Sequence, residues 1–242
     1  MAGAAPTDRV ITLWWTSILS NASNLEAVVD RLEAAERRRA ARFRVDAGRL
    51  RYIAAHAMLR TLLAQRLGVL PDALRFVEGP RGKPMLSEPL THPEPRFNLS
   101  HSGDLAVVAL ADTEIGVDVE AHRPVPKLDA LAQRFFSEAE RNRLASVSEE
   151  TRETLFLGIW TAKEAYLKAV GSGVAMPLRQ LEIDPDGPAI ERIAGDPHVA
   201  GQWTLLGVGL PGPTVCTVAV RGRGWRLDVR EFDWSYLETG TT

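Results

Sequence analysis

Two apolar runs of equal length, Leu105-Ala106-Val107-Val108-Ala109-Leu110 and Val215-Cys216-Thr217-Val218-Ala219-Val220, constrain this 242-residue chain more than any other feature. Both read as buried strands, because strands with one wet face alternate polar and apolar residues. They also occupy corresponding places in a repeated succession. A strand, a charged connector, a long helix and several further strands occupy residues 10–111 and again residues 114–231. The fold class that follows is α+β, with two pseudo-symmetric halves, residues 1–112 and 113–242. Each is expected to be an antiparallel sheet packed against a long helix, with an active site in the cleft where the halves meet.

The first half carries the positive charge. Val10 to Trp15 is a short apolar strand, and a helix begins near Leu25. Between Glu33 and Arg44 stand Arg37, Arg38, Arg39, Arg42 and Arg44. This cluster reads either as a cradle for phosphate or as a solvated helix face paired with Glu33 and Glu36. The next helix, Gly48 to Leu67, has Leu50, Ile53, Ala54, Ala57, Met58, Thr61 and Leu62 at helical spacing and is closed by Gly68, with Arg51 and Arg60 off the apolar stripe. Leu74 to Glu78 is a strand, and the turn from Gly79 to Pro84 presents Lys83. Phe97-Asn98-Leu99-Ser100-His101-Ser102-Gly103 then leads into the first apolar run. Its serines and histidine lack the strand-turn-helix setting of a hydrolase nucleophile. A hydroxyl and an imidazole beside a turn suit phosphate equally, or a histidine bonded locally in a hairpin.

The second half carries the carboxylates. In Gly116-Val117-Asp118-Val119-Glu120 the side-chain period of two puts Asp118 and Glu120 on one face, roughly 7 Å apart, a spacing suited to a hard divalent cation or to the wet face of an edge strand. A helix starting around Arg134 runs through Leu144, with a capping box at Ser137-Glu138-Ala139-Glu140. A longer helix from Thr151 to Val170, ended by Gly171-Ser172-Gly173, bears Ile159, Trp160, Leu167 and Val170 on one stripe. Lys163 falls on that stripe, where a lysine calls for an anionic partner or for snorkelling over Trp160. Glu164 and Lys168, four residues apart, share a flank and offer a carboxylate and an ammonium side by side, or form a surface ion pair. Leu181 to Asp184, Trp203 to Val208, Val215 to Val220 and Trp225 to Glu231 read as strands.

Composition narrows the function. A formal net charge of −2 opposes a general nucleic-acid binder, and the single Cys216 excludes a disulfide framework and a cysteine-rich zinc site. No apolar run reaches membrane-spanning length and Met1 to Val10 lacks a signal-peptide plan, so the expectation is a cytoplasmic protein with no membrane partner.

The ordered set of Phe97 to Gly103, Gly116 to Glu120 and Trp160-Thr161-Ala162-Lys163-Glu164-Ala165 with Lys168 resembles the Sfp-type 4′-phosphopantetheinyl transferases, the two-halved monomeric kind. Gly82-Lys83-Pro84 and Arg134-Phe135-Phe136-Ser137 with Glu140 extend the likeness over nearly the whole chain. The resemblance implies an enzyme that moves the phosphopantetheine arm of coenzyme A to a serine of an apo acyl or peptidyl carrier protein, with magnesium, releasing adenosine 3′,5′-bisphosphate. It implies Asp118, Glu120 and Glu164 as magnesium ligands, and Lys163 and Lys168 as counter-charges for them and the pyrophosphate. His101 is implied at a phosphate, Ser100 and Lys83 at the adenine end, and Arg51 with Arg39 at the 3′-phosphate. Glu140 is implied as base toward the acceptor serine and Lys168 as the group that stabilises or protonates the departing phosphate. Where the family has an extra lysine in the arginine-rich segment, this chain has Glu36. The connector from Arg123 to Phe136 is the expected docking place for the carrier protein, with Arg123 and Lys127 facing its acidic helix. A magnesium-dependent nucleotide phosphohydrolase and a non-catalytic coenzyme A-binding module are the alternatives.

Overall fold

The structure, a computed structural model, describes residues 9–79, 83–88, 94–171, 176–184, 187 and 189–237. Residues 80–82 of the expected lysine-bearing turn, and Ser172 and Gly173 after the long helix, lie outside them. The first half comprises strand β1 (Arg9–Ser17), helices α1 (Ala22–Ala27), α2 (Ala34–Ala40) and α3 (Asp46–Leu67), and strands β2 (Phe76–Glu78), β3 (Pro84–Leu86), β4 (Arg96–Ser102) and β5 (Leu105–Ala111). The second comprises β6 (Ile115–Ala121), α4 (Leu128–Phe135), α5 (Glu138–Ser146), α6 (Glu149–Val170), β7 (Leu181–Ile183), β8 (Ile190–Ile193), α7 (Pro197–Ala200), β9 (Trp203–Gly207), β10 (Thr214–Arg221) and β11 (Trp225–Glu231).

The two main sheets have strand orders β11-β1-β5-β4 and β6-β10-β9, and small hairpins β2-β3 and β7-β8 flank them. The continuous apolar runs follow from the layering. On β5, Ala106 and Val108 join the core beneath α3, whereas Val107 and Ala109 join a second core shared with Val117, Val119, Val218 and Val220 of the other sheet. On β10, Ala219 packs with Ala162, Ala165 and Ala169 of α6, while Cys216, Val218 and Val220 face inward. The molecule is therefore layered helix, sheet, sheet, helix, and β5 and β10 meet apolar neighbours on both faces. Burial pushes the Cys216 thiol pKa far up, in keeping with an inert core side chain.

Left-handed glycines end both long helices, Gly68 at φ 66° and Gly171 at φ 59°. A different glycine sets how closely α6 approaches its sheet. A Cβ on Gly116 would lie 2.0 Å from the Ala165 carbonyl oxygen and 2.4 Å from the Ala169 nitrogen, so only glycine admits the helix backbone against β6.

Several expectations need correction. The α+β class and the paired sheets and helices stand, but β1 and β11 run parallel, Arg9 opposite Trp225 through Trp15 opposite Glu231. The last strand of the second half thus completes the first half's sheet. The helix expected from Arg134 to Leu144 is two helices, because Phe136 is extended and Ser137 starts a fresh turn as its cap. Arg60, expected off the apolar stripe, is only 1% exposed. It bonds the Glu36 carboxylate at 2.6 Å, Glu33 at 3.2 Å and the Pro71 and Leu74 carbonyls, with its guanidinium over Phe76. Glu36 is consequently committed inside the first half.

Candidate active site

The site lies on a seam. β4 is an edge of one sheet and β6 of the other, and their junction uses side chains where a ladder would use backbone. Asn98 Oδ1 accepts from the Val117 N–H at 2.8 Å, Ser100 Oγ from Val119 at 3.3 Å, and Ser102 Oγ from Ala121 at 3.1 Å. The period of two on β4 aims all three at β6 and turns His101 to the opposite face of its own sheet.

The carboxylates stand on this seam. Asp118 is 5% exposed, and its Oδ1 accepts from Lys168 Nζ at 2.6 Å and from the Ser100 hydroxyl at 3.1 Å. Its Oδ2 is buried with no hydrogen-bond partner in the protein. Burial raises the Asp118 pKa above the usual aspartate value, opposed by Lys168 and reinforced by Glu120. Glu120, on the same face, accepts from the Ser102 hydroxyl at 2.7 Å. Lys168 also donates to Ser100 Oγ and to the Val117 carbonyl. Helix α6 runs antiparallel to β6: His122 meets Thr154, Thr161 meets Thr217 opposite Asp118, and Lys83 bridges the Ile115 and Lys168 carbonyls. Glu164, one turn before Lys168 on the same flank, stands between Thr161, level with Asp118, and Ala165, packed against Gly116.

Among the described residues no three His, Cys, Asp or Glu side chains are already gathered as a ligand set. The donors nevertheless suit a hard cation: carboxylate oxygens, one of them buried and unpartnered, opposite a helix that carries a third carboxylate.

Around the seam the remaining residues separate. Arg51 of α3 donates to the Gly103 carbonyl at 3.2 Å, at the turn that follows His101. The crowding of protein atoms around the exposed His101 ring, then the charges of Arg51 and Lys168, hold its pKa below the usual histidine value. Arg39 pairs with Glu78 and lies over the Tyr52 ring, and Arg38, Arg39, Arg42, Phe43 and Glu78 line a concave cleft of about 550 Å³. Lys83 lies at a more apolar cleft of about 300 Å³ floored by Phe97, Ile115, Ala169 and Gly171. Burial, then Arg96, lowers its pKa to about 8.

Three assigned roles do not fit this geometry. Glu140 and Lys163, each wholly buried, form an ion pair at 2.9 Å. Glu140 also accepts from the Ser137 N–H at 2.7 Å, closing its capping box, and from the Ile183 N–H at 2.8 Å. Lys163 spends its other donors on the Leu178 and Leu181 carbonyls and sits beneath Phe136. Every polar atom of the pair is used inside the protein, so neither a base toward a docked serine nor a contact to pyrophosphate is open to them. Burial lowers the Lys163 pKa, opposed by Glu140. Ser100, expected at the adenine end, is buried and aims its hydroxyl at Asp118 and Lys168. Reading residues missed Asn98 and Ser102; the signal available was a polar residue at every second position of a strand beside a fully apolar one.

A carboxylate seam with one lysine inside it, together with an arginine-lined cleft in the first half, has the charges that phosphate groups would meet. The comparisons agree: a model described as 4′-phosphopantetheinyl transferase, N-terminal, matches residues 15–113, and one described as the 4′-phosphopantetheinyl transferase superfamily matches residues 114–219. The 4′-phosphopantetheinyl transferase HetI of Nostoc sp. is 37% identical over 219 residues, covering 89% of this chain and 90% of that protein. The 4′-phosphopantetheinyl transferase psf-1 of Bacillus pumilus is 33% identical over 154 residues, 63% of each chain. The human L-aminoadipate-semialdehyde dehydrogenase-phosphopantetheinyl transferase is 30% identical over 141 residues, 54% of this chain and 46% of that protein. The chain belongs to the 4′-phosphopantetheinyl transferase superfamily and is an enzyme of that kind.

Proposed function

We propose that this enzyme, using magnesium, transfers the phosphopantetheine arm of coenzyme A to a serine of an apo acyl or peptidyl carrier protein. The observation that carries the reading is Asp118, buried on the seam with one oxygen clasped by Lys168 and the other unpartnered. Asp118, Glu120 and Glu164 would hold the ion, which when bound offsets charge on the pyrophosphate.

The chain's own residues supply the rest. Arg51 and His101 face the phosphates from the first half, Arg39 and its arginine neighbours take the 3′-phosphate, and Lys83 borders the adenine end. The serine oxygen bonds to the phosphorus that carries the pantetheine arm, and the bond from that phosphorus to the bridging oxygen breaks. Lys168, whose ammonium donates to Asp118, Ser100 and Val117 and stays partly exposed, offsets by its positive charge the negative charge that grows on the departing adenosine 3′,5′-bisphosphate. With Glu140 enclosed, the serine proton passes to a phosphate oxygen or to water. Arg123, Lys127 and Arg134, exposed around amphipathic α4, suit the acidic helix of a carrier protein. Among the described residues no helix is long and apolar enough to cross a membrane. The proposal places the enzyme in the cytoplasm as a monomer, without a nucleic-acid partner.

The test is incubation with magnesium, coenzyme A and a panel of apo carrier proteins, read by intact mass. Gain of the arm's mass on a carrier supports the proposal. Phosphate release without any acceptor supports a phosphohydrolase, and magnesium-independent binding of coenzyme A with no transfer supports a binding module.

A further inference from the structure

The seam between β4 and β6 repeats a pattern that depends on what β6 carries. At the first rung Asn98 accepts the Val117 N–H, and the residue just before Val117 is Gly116, which has no side chain to orient. At the second, Ser100 accepts the Val119 N–H and donates to Asp118, the residue just before. At the third, Ser102 accepts the Ala121 N–H and donates to Glu120, again the residue just before. Serine stands where a carboxylate needs aiming, and asparagine stands where only an acceptor is needed. A hydroxyl suits the double duty because it donates one proton and still accepts through its lone pairs.

We infer that Ser100 and Ser102 are positioning residues that aim the Asp118 and Glu120 carboxylates, so that the first half of the chain sets the geometry of the cation site in the second. The inference rests on the proposed magnesium role of those carboxylates. It assigns Ser102 a part in the reaction without contact to coenzyme A. A donor fixed on a ligating carboxylate holds its rotamer and leaves the other oxygen directed at the ion.

The experiment titrates Mn²⁺ into the full chain with coenzyme A present and carrier protein absent, reading free Mn²⁺ by electron paramagnetic resonance. Ser102→Ala should weaken Mn²⁺ binding about tenfold, and Ser102→Thr, which keeps the hydroxyl, should return it to within about threefold of the parent. Asn98→Ala removes a seam bond of the same kind but aims no carboxylate, so it should lower the melting temperature and leave Mn²⁺ affinity within about twofold. Parental affinity in Ser102→Ala, or equal weakening by Asn98→Ala, would overturn the inference alone. A parent that binds no Mn²⁺ would remove the cation reading as well, so the two failures are told apart.

Discussion

Lys83 shows how a single residue is tuned by where its chain ends up. Its ammonium reaches the Ile115 and Lys168 carbonyls across the junction of β6 and α6, and burial lowers its pKa to about 8 from the 10.5 of a solvated lysine. Between those values the folded protein holds fewer protons than the unfolded chain, so this group's contribution to stability rises with pH across pH 8 to 10.5. In urea titrations at pH 7.5 and 10, the stability of the parent relative to Lys83→Met should shift in the parent's favour at the higher pH. A difference independent of pH would show that the lysine is not titrating there. The Glu140–Lys163 pair gives a second prediction. Glu140→Gln can still close the capping box at Ser137 but leaves the buried Lys163 ammonium opposite a neutral partner. Breaking a buried pair costs about 3 kcal/mol or more, roughly 6–12 °C in melting temperature for a chain of this size. Glu140→Gln combined with Lys163→Met should recover much of both stability and transfer. A double variant that melts like the parent yet stays inactive would return Glu140 to the chemistry.

Among the elements, the contact of α6 with β6 is the decisive one, because it sets Lys168 against Asp118. Gly116 permits it. With backbone atoms 2.0 and 2.4 Å from a new Cβ, Gly116→Ala has no flexible side chain to push aside and must lift the helix. Overpacking of this kind costs about 1–3 kcal/mol or more. Transfer activity should fall further than that loss of stability explains, since the Lys168 contact to Asp118 opens with the helix. Thermal melting beside a coenzyme A titration would check this, and a variant that is destabilised but parental in turnover would show that the site tolerates the displacement. The seam obeys the same logic from the other side. Two sheet edges that exchanged backbone bonds would leave no room for hydroxyls, and those hydroxyls are what reach the carboxylates.

For the whole molecule, the end of the chain closes its beginning. β11 pairs with β1 along its length, Phe232 donates its N–H to the Trp15 carbonyl, and the Trp234 indole donates to Thr16 at 2.7 Å. Phe232 and Trp234 are buried in the core beneath α3. Losing two buried aromatic side chains costs roughly 6–10 kcal/mol, at about 3–5 each, comparable with the whole stability of an ordinary domain. A chain ending at Gly224 should therefore show no cooperative melting of the first half by circular dichroism, in contrast to the full chain. A cooperative, coenzyme A-binding product from the shorter chain would show that β11 is dispensable.

Much of what depends on local period and residue type was legible along the chain, although the break at Phe136 and the burial of Arg60 were not. The apolar runs at Leu105 and Val215, the glycine stops at Gly68 and Gly171, the shared face of Asp118 and Glu120 and the box at Ser137 are all consequences of neighbours a few residues apart, and all are present. Pairings over long separations were decided only in three dimensions. Lys163 on an apolar stripe announced an anion, but that the anion is Glu140 rather than a phosphate depends on α5 and β7 closing over it. Arg60 reads as a surface cation until Glu33 and Glu36 fold against α3. The parallel β1–β11 pair joins residues more than two hundred positions apart and leaves no local mark, because a strand's side chains record which faces are buried and not which strand lies alongside. The serines of β4 carry the same lesson. Their spacing was visible, but their purpose existed only once β6 arrived beside them with a carboxylate at each rung that needed one.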